Sequence, residues 1–83
     1  MAHKVKYNNG DFVTATVRSP DGVGNCVRQG VAGRDRLTGE LKLYGESDSV
    51  YELVEVYHVV EGLRGSTLRF VEKWREDNAE VHC

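Results

Sequence analysis

The chain has 83 residues, of which 40% are hydrophobic and 29% charged, and a net charge of −2. That length supports one domain with one core and a modest pocket, and puts two packed subdomains out of reach. The balanced charge gives no global pull toward nucleic acid. Thirteen valines, six leucines, no isoleucine and only four alanines favour a sheet over a helix bundle. The charge is uneven: residues 1–45 hold seven Lys/Arg against four Asp/Glu, and residues 46–83 hold four against nine. Such a dipole is ordinary surface solvation first, and a steering surface for a partner second.

In chain order, Met1–Tyr7 alternates weakly and Asn8-Asn9-Gly10 signals a hairpin turn. Asp11–Arg18 reads as a strand, with Val13, Ala15 and Val17 on one face and Phe12, Thr14 and Thr16 on the other. Ser19-Pro20-Asp21-Gly22 is the clearest turn. Val23–Ala32 is interrupted by glycines, which predicts a bulge or a close backbone approach. Thr38-Gly39 turns the chain into a short strand, Glu40–Tyr44, and Gly45–Ser49 turns it again.

Val50–Val60, VYELVEVYHVV, is the densest apolar run. At period two, Tyr51, Leu53, Tyr57 and Val59 share one face with Glu55, and Val50, Val54, Val56 and Val60 share the other with Glu52 and His58. A helical stripe also exists, and Ser49 with Glu52 would close a capping box. Seven of the eleven residues are Val or Tyr, which decides for a strand. Thr67–Trp74 alternates as well and is read as a strand pairing with the central run in one long hairpin. EKWREDNAE keeps a helix from Thr67 to Glu80 as the alternative. The fold class expected is therefore mainly β: a bent antiparallel meander or small barrel over residues 1–76, then a charged, flexible tail, 77–83. The alternative is α+β, with residues 50–61, 67–80 or both helical.

TGELKLY, VYELVEVYHVVEG and LRFVEKWREDN together resemble the sheet half of the cone-shaped fold of the nuclear-transport-factor-two-like proteins and small polyketide cyclases. The resemblance covers about half the chain and implies a bent antiparallel sheet. The helices with which members of that family begin have no counterpart here, and the family's catalytic residues find no matching positions.

Few residues carry chemistry. His3, Cys26, His58, His82 and Cys83 are scattered, without finger spacing, so neither a metal nor a cofactor is expected. Cys26 lies near Arg28, which favours a thiolate, but no base is positioned beside it, and a disulfide to the terminal Cys83 would be a poor staple. Glu52 and His58 are separated by roughly 20 Å of strand. Gly22-Val23-Gly24-Asn25 lacks phosphate-loop spacing. No catalytic residues are assigned, and the balance leans against an enzyme. With no apolar leader and no run near the roughly 20 residues of a membrane span, a soluble cytoplasmic setting is expected.

The leading expectation is a non-catalytic protein–protein interaction module, a small regulatory or inhibitory protein. Its contact residues would be Tyr51, Tyr57, Phe70 and Trp74, and its partner another protein or a second copy of itself. The second is a small-ligand binder or isomerase-like protein with those aromatics lining a pocket and His58 or Glu55 at its mouth. The third is a single-stranded nucleic-acid binder using Arg28, Arg34, Arg36 and Lys42.

Overall fold

Alternation in the first strand sorts the molecule into two apolar layers. In the computed structural model, which describes residues 5–47 and 49–78, β1 spans Phe12–Arg18. Val13, Ala15 and Val17 of β1 point inward and are fully buried, while Phe12 points outward into a second cluster. β2 (Asn25–Arg34), β3 (Leu41–Tyr44) and β4 (Val50–Val59) follow, each antiparallel to the strand before it. β4 returns to pair antiparallel with β1, so the four strands close into a barrel. The chain is mainly β, as its valine content predicts.

The barrel interior is filled by Val13, Ala15, Val17, Ala32, Leu43 and Val56, with Val5, Tyr7, Cys26, Tyr51, Leu53 and Val59 packed against them. Each fully buried Val or Leu contributes about 1.5–3 kcal/mol. The turn at Ser19–Gly22 forms as the sequence predicts, closed by the Gly22 amide donating to the Ser19 carbonyl at 2.9 Å. The turn at Asn8 also forms, the Asp11 amide reaching the Asn8 carbonyl at 3.0 Å. It leads into β1 without making a hairpin, because residues 5–7 belong to no strand.

Of the bulge and the close approach that the glycines of Val23–Ala32 signal, the structure shows the second. β2 pairs with β1 in unbroken register from Asn25 to Val31, and a Cβ at Gly30 would lie 2.5 Å from the Tyr44 carbonyl oxygen, one at Gly33 2.5 Å from the Trp74 ring. An expectation is corrected: Thr67–Trp74 is not a strand beside the central run. It lies within α1, Gly65–Asp77, and β4 pairs instead with β1 and β3. Phe70, Val71 and Trp74 stand at helical spacing and all pack into the second cluster, with Phe12, Val31, Tyr44, Val60 and Leu63. Leu68, Arg69, Glu72, Lys73 and Arg75 are good helix formers, and propensity with the apolar stripe outweighs a short two-residue alternation. Asn78 ends the helix, its side-chain amide bonding the Trp74 carbonyl at 2.9 Å. Asp77 and Asn78, expected to belong to a flexible tail, are instead the last helical residue and its cap; the remainder of that expectation, residues 79–83, lies outside the described residues.

Trp74 holds the helix to the barrel. Its ring sits on the bare backbone of Gly33 and tilts 45° against Tyr44, with centroids 5.3 Å apart. Gly33→Ala should therefore destabilise the fold by about 1–3 kcal/mol through overpacking. The same change made in a Trp74→Leu background should cost clearly less. Chemical denaturation of the four proteins of this cycle checks the coupling.

Candidate functional site

The outer surface of the barrel is half covered. α1 lies over Phe12 and Val31, leaving the outer face of β2, β1 and β4 beyond them without an apolar partner among the described residues. β4 shapes this face. Its register with β1 shifts twice: Thr14 pairs with His58 and Ala15 with Val56, then Thr16 pairs with Glu55 and Val17 with Leu53. Tyr57 and Val54 are thus extra residues, each bulged out of the ladder. Each bulge resets the alternation, so the inward residues of β4 are Tyr51, Leu53, Val56 and Val59.

The two extra residues, Val54 and Tyr57, both face outward and are 51% exposed each. Val27 of β2, directly across from Thr16, is 55% exposed. The Thr16 hydroxyl donates to the Tyr57 hydroxyl and anchors that ring over β1. Below it the Gln29 amide donates to the Thr14 hydroxyl at 3.0 Å, and at the far end Arg18 pairs with Glu52 at 3.2 Å. This ion pair is well exposed and contributes at most about 1 kcal/mol. The result is a shallow face of three apolar side chains framed by threonines, an amide and one ion pair.

The four aromatics expected to act together are separated. Tyr51 faces the barrel core, Tyr57 faces out, and Phe70 and Trp74 lie in the cluster under α1. The correction has one physical cause in β4, the bulge that splits Tyr51 from Tyr57, and one in α1, the helix that carries Phe70 and Trp74 elsewhere. His58 and Glu55 stand exposed on the outer face, not at the mouth of an aromatic pocket. His58 and Cys26 do not meet, since Cys26 packs against the barrel core. No cluster of three metal-binding side chains occurs among the described residues. His3, His82 and Cys83 lie outside those residues.

The basic residues divide too. Arg34 and Arg36 line a cleft of about 560 Å³ with Asn9, Asp35, Gly39, Trp74 and Asn78. Arg34 donates to the Gly39 carbonyl at 2.7 Å and Arg36 to the Asp77 carbonyl at 3.1 Å, so both guanidiniums already hold the protein together. The cleft also faces the C-terminal, negative end of α1, which disfavours an anion. Lys42 pairs with Glu40 at 3.3 Å, and Arg28 lies roughly 20 Å up β2 from Arg34. Tyr44, beside Trp74, has its hydroxyl pKa raised by burial and then by the nearby Asp35 charge.

A smaller cleft of about 330 Å³ lies at the β1–β2 turn, lined by Arg18, Ser19, Pro20, Gly22, Val50, Tyr51 and Glu52. Beside it, Asp21 accepts from the Ser19 hydroxyl at 2.6 Å and the Val23 amide at 2.9 Å. These bonds favour its ionised form and hold its pKa below the ordinary value, Ser19 contributing most. A depressed carboxylate adds stability to the turn above its unfolded pKa and loses it as pH falls through the folded pKa. Ser19→Ala should raise the Asp21 pKa toward the ordinary value, as followed by NMR titration of its carboxyl carbon.

Val27 and Val54 escaped the sequence reading. A valine between Asn25 and Gln29 carried a signal for Val27, because its neighbours at the same parity are polar. Val54 stands opposite Tyr51 and Leu53 by plain alternation, but a valine in line with Val50, Val56 and Val60 gives no sign of facing water. No family model, curated protein or solved structure matches this chain. No described helix is long and apolar enough to cross a membrane.

Proposed function

We propose that this chain is a non-catalytic protein–protein interaction module whose contact surface is the outer face of β2, β1 and β4. The observation that carries the reading is the exposure of Val27, Val54 and Tyr57 together on one sheet face, outside the area that α1 covers. Tyr57, which alternation from Tyr51 and Leu53 would turn inward, is placed there by bulging, a local departure from regular pairing that re-aims side chains. Tyrosine is a good interface anchor, and the Thr16 bond lowers the entropy this ring loses on contact. The polar frame of Thr14, Gln29 and the Arg18–Glu52 pair suits the rim of such a contact.

A photo-crosslinking side chain placed at Tyr57 should yield discrete protein adducts in cells, whereas one placed at Leu37 should not. Leu37 is 95% exposed but lies on the β2–β3 turn, away from this face. Equal labelling from both positions, or none from Tyr57, contradicts the reading. Val54→Lys should remove the Tyr57 adducts while leaving the melting temperature within about 2 °C, since surface changes cost little stability.

A further inference from the structure

We infer that a second copy of the chain extends this face at its open edge, joined by antiparallel pairing of the first half of β2 with itself about a two-fold axis at Val27. This deepens the reading above and rests on it.

β3 is only four residues long and pairs with Val31–Arg34, so Asn25–Gln29 has β1 on one side and no described strand on the other. The direction of the backbone groups follows from the ladder. The Ala32 amide donates to the Asp11 carbonyl at 2.9 Å, and the Ser19 amide donates to the Gly24 carbonyl at 3.2 Å. Even-numbered residues of β2 therefore aim their N–H and C=O at β1. Asn25, Val27 and Gln29 aim theirs at the open edge, and an unpaired row of this kind is a template for another strand.

The registers available to two such edges can be separated. An axis at Gln29 would pair Val27 with Val31, whose outer edge already belongs to Tyr44. An axis at Arg28 would set two guanidiniums directly opposite each other, which is destabilising. An axis at Asn25 would run into Gly24, which has a φ of 71° and cannot continue a strand. An axis at Cys26 uses only Asn25 and Val27 on each side.

An axis at Val27 uses all three outward residues. Val27 meets Val27, Asn25 meets Gln29 on both sides, and Arg28 meets Cys26 instead of its own copy. The side chains of Asn25, Val27 and Gln29 stand on the outer face, so the half-exposed valines cover one another and the amides pair. Two three-stranded faces then become one continuous sheet, with Tyr57 and Val54 at both ends. The contact is isologous, as a two-fold dimer requires.

The test uses the intact chain in analytical ultracentrifugation up to millimolar concentration, with Val27→Pro and Val27→Lys beside it. The wild-type chain should sediment at twice its 9.3 kDa mass. Val27→Pro deletes an amide that points away from β1, so it should stay folded by circular dichroism and become monomeric. Val27→Lys keeps every backbone donor but sets two ammonium groups across the axis, and should also be monomeric. A wild-type monomer, or a dimer that survives Val27→Lys, overturns the pairing. A dimer that oxidises rapidly through Cys26 overturns this register in favour of the axis at Cys26. If the chain is monomeric yet Tyr57 still crosslinks to another protein, self-pairing alone falls. If neither occurs, the interaction reading falls with it.

Discussion

The fold depends on how β4 closes onto β1. Leu53 to Val59 of β4 run against Val13 to Val17 of β1, seven residues against five. The two extra residues cannot enter the ladder, and Val54 and Tyr57 are extruded as bulges. Bulges increase local twist and bend a strand, which lets one ten-residue element leave β3 and wrap back over β1. Without that bend the sheet would stay open, and Leu43 and Val17, now fully buried, would face water. The device that closes the core also sends the Tyr57 ring to the surface beside Val54, so closure and the proposed contact face share one cause.

The second constraint is the seating of α1. Phe12 and Val31 leave the barrel on its outer side and need a cover. Val71 supplies it, and Trp74 fits only because Gly33 offers no side chain. Polar ties fix the angle of the helix: Arg75 donates to the Gly10 carbonyl at 3.0 Å, and Thr67 donates to Glu46 at 3.0 Å. The N-terminus of the helix has no side-chain cap, so its position is set by packing more than by local signals, as is usual for helices of this length.

Much of the strand content was legible. Valine and tyrosine content identified β4, clean alternation identified β1 and its inward face, and Pro-Asp-Gly identified the first hairpin turn. The failures share a reason: period-two counting assumes an unbroken ladder and a strand to count in. In β4 the ladder breaks twice, so Tyr51 and Tyr57 were grouped on one face when they lie on opposite sides of the barrel wall. In α1 Leu68, Phe70, Glu72 and Trp74 imitate alternation, while Phe70, Val71 and Trp74 carry the helical stripe that the core selects. The glycines of β2 were read for the right physical effect, close approach, alongside one that does not occur there. The candidate site was less legible than the fold, because its apolar members are defined by what the bulges and α1 leave uncovered.

The most direct measurement of this account is thiol-labelling kinetics along β4. Single cysteines would be placed at positions 51–59 in a background in which Cys26 and Cys83 are replaced by alanine. Positions 54, 55, 57 and 58 should label quickly and positions 53, 56 and 59 slowly, an inward spacing of three that follows from the two bulges. Strict alternation, with position 57 as protected as positions 53 and 59, would contradict both the closure of the barrel and the face proposed on its outer side.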